Sequence, residues 1–275
     1  MKIIHLLPFL AGLSLASCGN PSTEKPATTQ AKQEQPAAPV PVKHEYKLTP
    51  FEKSAEFADA KLESMTYKNG KFTFKYSGKG YKLGEQTPDA GLKMCANSAK
   101  GQHIHLIVDD QPYVAEYTPE FEYSIPDGEH TILAFLSRSY HESIKNGKAF
   151  IVEKVTVKDG SIVKSEKIKT PMIFYSRPKG DYVGKAETDK VMLDFFLVNA
   201  TLGKDFKVVV DVNNEKNFDI DTWQPYYLEG LPMGENRVKL LLLDKDGGPV
   251  KTIHNPTEHS FVLKADPAEA QTAGK

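Results

Sequence analysis

Cysteine is nearly missing from this chain: two thiols, Cys18 and Cys95, in 275 residues exclude a disulfide framework. Net charge is nearly missing too. With 35 Lys and Arg against 36 Asp and Glu, the balance of −1 offers no basic face for nucleic acid. Beyond residue 17 no continuous apolar run reaches the roughly 20 residues that a spanning helix requires. The sequence also lacks a Gly-x-Ser-x-Gly elbow, a phosphate loop, a dinucleotide fingerprint and any regular succession of amphipathic helices. What is present is 40% hydrophobic and 10% aromatic residues, enough for a core, punctuated by 19 Gly and 18 Pro that call for many turns.

The N-terminus sets the expected compartment. Lys2 precedes an apolar stretch running from Ile3 through Leu15, too short to span a bilayer and suited to a secretory signal. Leu15-Ala16-Ser17-Cys18 then has the form of a bacterial lipobox, so residues 1–18 are expected to be a lipoprotein signal ending in an acylated Cys18. Residues 19–46, rich in Pro, Thr, Gln and Ala, are expected to be a disordered stalk, and residues 266–275 a disordered tail. A lipid-anchored protein of the Gram-negative envelope follows, in the outer membrane, with the membrane and envelope proteins as partners and no nucleic acid.

Self-comparison divides the remainder. Gly101–Asp109 (GQHIHLIVD) aligns with Gly203–Asp211 (GKDFKVVVD) at an offset of 102 residues, with Asn97 against Asn199. Tyr81 and the residues around it resemble Tyr182-Val183-Gly184, and Ile125-Pro126-Asp127-Gly128-Glu129-His130 matches Leu231-Pro232-Met233-Gly234-Glu235-Asn236. Three blocks in one order indicate an internal duplication. Within each copy the hydrophobic period is two: Ile104, Leu106 and Val108 in one, Phe206, Val208 and Val210 in the other, with Ile132-Ala134-Leu136 and Val238-Leu240-Leu242 downstream. Asn69-Gly70 marks a hairpin. Only residues 49–60 could be helical, and an extended edge strand fits them equally. The expected fold is all-β: two tandem immunoglobulin-like antiparallel β-sandwiches, at residues 47–165 and 166–265.

IPDGEHTILAF and LPMGENRVKLLLLD resemble the strand-turn-strand pattern of bacterial immunoglobulin-like and fibronectin-type domains. From KLTPF through MCANSAKGQHIHLIVD, AFLSRSYHESIK, MIFYSRPKG, DTWQPY and LPMGEN, the body resembles an uncharacterised lipoprotein family of the Bacteroidetes, some of whose members carry a phosphopeptide-binding label. The resemblance implies compartment and fold and supplies no mechanism.

Three sets of side chains invite chemistry. His103 and His105 stand two apart on a strand, so their imidazoles share a face. With His141 or Glu142 from the loop after the next strand they form a plausible Cu or Zn site, although a polar solvent face carrying histidine reads the same. Their counterparts at the offset of 102 are Asp205 and Lys207, which makes the pair specific to the first copy. Ser137-Arg138-Ser139, followed by Tyr140-His141, resembles half of the forkhead-associated phosphopeptide motif with altered spacing; Arg138 there could hold a phosphate or carboxylate, or lie in a solvated turn. Trp223, Tyr226 and Tyr227 could make a stacking ledge for sugar or peptide, or close a sandwich core. His130 is expected to be structural and Cys95 a small buried hydrophobe. His141-Glu142-Ser143 are too close in sequence for a catalytic triad, and the period-two pattern excludes the barrel that an amidohydrolase metal strand needs. A non-enzymatic binding or scaffolding module is therefore expected, with periplasmic copper or zinc binding and anion or phosphopeptide binding as alternatives.

Overall fold

The computed structural model describes residues 44–268; Cys18, the signal segment, nearly all of the stalk and residues 269–275 lie outside them. The strands run β1 (Lys47–Pro50), β2 (Lys61–Lys68), β3 (Lys71–Ser77), β4 (His103–Val108), β5 (Val114–Glu116), β6 (Glu120–Glu122), β7 (Gly128–Ser137), β8 (Phe150–Lys158) and β9 (Ser161–Lys167). They continue as β10 (Met172–Arg177), β11 (Gly180–Val183), β12 (Val191–Val198), β13 (Phe206–Val212), β14 (Lys216–Ile220), β15 (Tyr226–Glu229), β16 (Gly234–Asp244) and β17 (Thr257–Lys264). The helical elements are one 3-10 turn at Ala90–Leu92 and one α-turn at Lys185–Thr188, and Pro267 and Ala268 at the end of the described residues are also helical.

In the first sandwich the sheet β2-β3-β6 covers β5-β4-β7-β8-β9, and in the second β1-β15-β12-β10 covers β11-β17-β16-β13-β14. Period-two patterning produces both cores. Ile104, Leu106, Val108, Ile132, Ala134 and Leu136 meet Leu62, Phe72, Phe74 and Phe121 in the first. Val208, Val210, Val238, Leu240 and Leu242 meet Ile173, Leu193, Phe195 and Leu228 in the second. The expected hairpin is present, with Lys68 opposite Lys71 and both Asn69 and Gly70 at positive φ (53° and 74°), as a primed turn requires.

The order β2-β3-β6 against β5-β4-β7-β8 recurs as β10-β12-β15 against β14-β13-β16-β17, so the halves repeat one topology. The register corrects the sequence alignment. Val108 pairs with Ile132 and Val212 with Val238, which puts Asp109 on Asn213, not on Asp211. The corner that follows confirms this. Asp109 (φ 56°) accepts the Thr131 amide on Oδ1 at 2.9 Å, and its Oδ2 lies 2.7 Å from His130, whose other ring nitrogen reaches the Pro126 carbonyl at 2.9 Å. Asn213 (φ 56°) accepts the Arg237 amide at 2.7 Å and donates to Asn236 Oδ1 at 2.9 Å, while Asn236 donates to the Pro232 carbonyl at 2.8 Å. Pro126 thus matches Pro232 as expected, and His130 is structural. Tyr81 and Tyr182 are not equivalent, because Tyr81 follows β3 whereas Tyr182 lies in β11, before β12.

Domain limits also differ from expectation. The boundary at 165/166 falls inside β9. Residues 47–50, assigned to the first sandwich, form β1 and pair antiparallel with β15 of the second. The stalk was expected to reach residue 46, yet Tyr46 is already buried in the second core, its hydroxyl donating to Glu215 at 2.9 Å. The chain from 51 to 60 is neither helix nor strand; Phe57 inserts into the first core. Residues 46–57 therefore strap the sandwiches together.

The main contact between them is sheet on sheet. Ile107, Leu133 and Phe135 on the outer face of β4 and β7 pack on Met172, Phe174, Phe196 and Val198 on the outer face of β10 and β12, with Phe135 stacked on Phe196 at 5.0 Å. Asp194, fully buried on that face, accepts the Ser143 amide at 3.1 Å and pairs with Lys145. The two corners yield a test of the duplication: Asp109→Ala and Asn213→Ala each strip an acceptor from a strand amide, so each should lower unfolding stability by about 1–3 kcal/mol in urea titration. A negligible loss at either position would show that the corners are not equivalent supports.

Candidate metal centre

Residues 103, 105 and 107 face away from the first core, but not into solvent. They lie under the second sandwich, so His103 and His105 have no exposed surface. His141 arrives from the turn after β7, closed by hydrogen bonds from the His141 amide to the Arg138 carbonyl and from the Arg138 amide to the Glu142 carbonyl, both 2.9 Å. His141 takes φ 69°, a left-handed conformation costing a non-glycine residue about 1 kcal/mol or more. The turn holds this strained residue where its ring joins the other two.

Three nitrogens converge, His103 Nε2, His105 Nε2 and His141 Nδ1: the first two are 2.8 Å apart, the second and third 3.4 Å, and the group lies within a span of 4.8 Å. Nitrogens sharing a tetrahedral ion at 2.0–2.1 Å are separated by roughly 3.3 Å, so the His105–His141 pair already has the spacing of one edge of such a site, and the 2.8 Å His103–His105 contact is a hydrogen bond that a metal would replace. Behind each strand histidine stands an oxygen. His103 Nδ1 donates to the Gly101 carbonyl at 2.8 Å, which leaves Nε2 as a lone pair, and His105 Nδ1 lies 3.5 Å from Ser176 Oγ. Such outer partners fix the tautomer of a ligating imidazole. Gly101 is obligatory here, since at φ 88° a Cβ would meet the Gly84 carbonyl at 2.5 Å.

The second sandwich completes the surroundings. Ser176 is the extra residue of a bulge between Tyr175 and Arg177. Arg177 is buried and its Nε has no partner. Among the described residues neither Arg177 nor Lys179 forms an ion pair; the Lys179 ammonium reaches the Tyr113 carbonyl and sits 4.4 Å from the Tyr113 ring centre. Tyr113 stacks on His105 at 3.6 Å, and its hydroxyl is 3.3 Å from His141 Nδ1. Burial, reinforced by Arg177, pushes the His103 imidazole down to about 4. Burial first, then neighbouring imidazoles and the two cations, hold His105 and His141 well below the ordinary range. The site is a nest of neutral imidazoles, the form that binds metal.

The other expected sites are not assembled. Arg138 is buried and spent internally: Nε and Nη2 donate to the Ala55 carbonyl at 3.1 and 2.7 Å, and Nη1 pairs with Glu142 at 3.3 Å. Ser137 and Ser139 have no exposed surface, and Ser139 exchanges hydrogen bonds with Thr87. An anion finds no free donor at that turn. Trp223 donates to the Phe195 carbonyl at 3.0 Å and meets Phe196 edge-on, Tyr226 lies in the second core, and Tyr227 packs with Phe51, Tyr140 and Met192. These rings close cores and offer no ledge. Cys95 is half-buried beside the same cluster, its thiol pushed up to about 12 by burial.

No family model and no curated protein matches the chain. Solved structures that resemble it include fibronectin(III)-like modules of Clostridium thermocellum CbhA, at 15% identity over 34% of this chain and 98% of that one with a TM-score of 0.26. The extracellular domain of a putative hybrid two-component system from B. thetaiotaomicron shows 10% identity over 75% of this chain and 38% of its own, TM-score 0.26. A Ca2+-stabilized adhesin with which an Antarctic bacterium binds ice shows 9% over 72% and 44%, TM-score 0.23. The chain spans less than half the length of the latter two. The fold assignment rests on the strand order, and no function is carried over from these likenesses.

Neutral burial of the imidazoles has a pH consequence in metal-free protein. His103 titrates near 4 in the fold and near 6.5 once unfolded, so between those values the unfolded chain binds a proton that the fold refuses. The associated stability is full above about 6.5 and is lost as pH falls towards 4, with His105 and His141 acting in the same direction. Urea midpoints in the presence of chelator should decline over that window in the wild type and less steeply in His105→Phe. Equal slopes would show that the cluster does not carry the dependence.

Proposed function

We propose that the protein is a non-enzymatic envelope module that holds one transition-metal ion, copper or zinc, between its two sandwiches. The convergence of His103, His105 and His141 carries this reading: three imidazole nitrogens within 4.8 Å of one another, two of the rings backed by oxygens and all kept neutral by burial, with the proton of His105 Nε2, now donated to His103, free to move to Nδ1 when a metal binds. Imidazole suits copper and zinc, and among the described residues no carboxylate or thiolate joins the cluster to favour calcium or an iron–sulfur group. The full chain should bind close to one equivalent of Zn(II) or Cu(II) and gain about 2.7 kcal/mol of stability at free metal a hundredfold above Kd. His103→Gln with His105→Gln should abolish that gain while the circular dichroism of the fold is retained. Equal binding by wild type and variant would sink the reading. The topological equivalents in the second sandwich, Lys207 and Val209, provide no second site, so uptake of two tight equivalents would do the same.

The anchor is the second part of the proposal. Cys18 follows Leu15-Ala16-Ser17, the lipobox pattern, and an acylated Cys18 would place the metal module at an envelope membrane, with the outer membrane and its proteins as surroundings. Among the described residues no helix is long and apolar enough to cross a membrane. Wild-type protein from a Gram-negative host should partition into the detergent phase and Cys18→Ala should not. Mass spectrometry showing an unmodified N-terminus beyond Cys18 would remove the anchor.

A further inference from the structure

The three histidines leave a charge problem. A divalent ion among neutral imidazoles would share its low-dielectric surroundings with Arg177 and Lys179, two cations that lack an ion-pair partner among the described residues. Uncompensated positive charge of that kind is costly in an interior, and the chain must supply or recruit a negative group. Carboxylates and the Cys95 thiol are not in the cluster.

One oxygen is. Tyr113 Oη lies 3.3 Å from His141 Nδ1, close to the 3.4 Å between His105 Nε2 and His141 Nδ1 and to the roughly 3.3 Å expected between neighbouring ligands of a single tetrahedral ion. The ring is fixed from both sides, by His105 stacked at 3.6 Å with an interplanar angle of 16°, and by the Lys179 ammonium 4.4 Å from its centre. Tyr113 is 4% exposed, and among the described residues the His141 ring nitrogen is its hydroxyl's one hydrogen-bonding contact. That contact must be given up when His141 Nδ1 takes a metal, leaving a buried hydroxyl beside the ion with nowhere else to turn.

Building on the metal reading above, we propose that Tyr113 is the fourth ligand of the ion, coordinating as phenolate and completing a His3Tyr centre. On coordination the Tyr113 O–H bond breaks, an O–metal bond forms and the proton leaves to solvent; no oxidation state changes. The phenolate cancels one unit of the local positive charge. Arg177 and Lys179 then stand beside an anion, which accounts for two cations held next to a metal site.

Cu(II) as the added metal, with the full chain, tests this. Phenolate bound to Cu(II) gives a visible charge-transfer absorption, whereas Zn(II), with a filled d shell, is silent. Wild type should show that band at one equivalent of Cu(II), and a chelator that strips the copper should bleach it. Tyr113→Phe keeps the ring and its stacking, so it should still bind Cu(II), without the band and at least about tenfold more weakly. Tyr117→Phe is the control: the Tyr117 ring lies 5.0 Å from His103, but its hydroxyl is paired with Ser98 at 2.7 Å, and the band should persist. Cu(II) bound by wild type without a band, or a band that survives Tyr113→Phe, overturns the phenolate and leaves the three-histidine site standing. Failure of wild type to bind Cu(II) or Zn(II) overturns both. The wild-type band is read without any variant, so poor folding of Tyr113→Phe does not protect the idea.

Discussion

The structure depends on one act of burial, the seating of the outer face of β4 and β7 on the outer face of β10 and β12. An isolated sandwich has apolar residues inside and polar residues outside. Here both sheets at the contact are apolar on two faces, and the contact must also accommodate whatever is polar there. Asp194 lies in the middle of an otherwise apolar strand and is tolerated because Ser143 and Lys145, from the turn after β7, satisfy it across the interface. That same turn carries His141. The strap from Tyr46 to Phe57 adds a strand to one sandwich and an aromatic side chain to the core of the other, so the docking is enforced by chain connectivity as well as by packing.

Much of the fold was legible because period two and turn residues are local signals. Asn69-Gly70, the Pro-x-Gly turns and the alternating strands all reflect backbone geometry that a few residues decide. The tertiary contact was harder to read, although its traces are in the sequence. Val191-Met192-Leu193-Asp194-Phe195-Phe196-Leu197-Val198 is apolar on both parities save one residue, the mark of a strand covered twice, and Ile107 breaks the polar side of the His103–His105 face. Those two runs are the interface. The strap could not be anticipated, since four residues of extended chain pair with whichever edge is free, and β15 is far away in sequence.

The histidine cluster was legible as a pattern and ambiguous as chemistry. Spacing puts His103 and His105 on one face in any strand, but whether that face meets water or protein decides whether the imidazoles are ordinary surface groups or neutral ligands. Ser176, Arg177 and Lys179 are distant in sequence from the histidines and enter only through the docking, whereas Tyr113 comes from the β4–β5 connection of the same sandwich. Arg138, Tyr226 and Tyr227 fail as sites for the same reason. Loop and edge positions that look available in sequence are consumed here by contacts between segments far apart in the chain.

Comparison of the two halves shows what duplication leaves free. The corner of Asp109, His130 and Pro126 recurs as Asn213, Asn236 and Pro232 with the same bonds and different chemistry, because either side chain can cap the same amide at the same φ. The outward faces of β4 and β13 diverge completely. Lys207 and Asp211 on β13 make ion pairs with Asp219 and Lys239, whereas the matching face of β4 is sealed by the other sandwich. A metal site at the seal has a thermodynamic consequence that one inside either sandwich would not. His103, His105 and His141 belong to the first sandwich and Ser176, Arg177 and Lys179 to the second, so an ion that requires the assembled surroundings favours docking by as much as docking favours the ion. On the proposed reading, domain contact and metal occupancy would be linked in one equilibrium, and the Phe135–Phe196 stack that holds the sandwiches together would act on metal affinity through the docking.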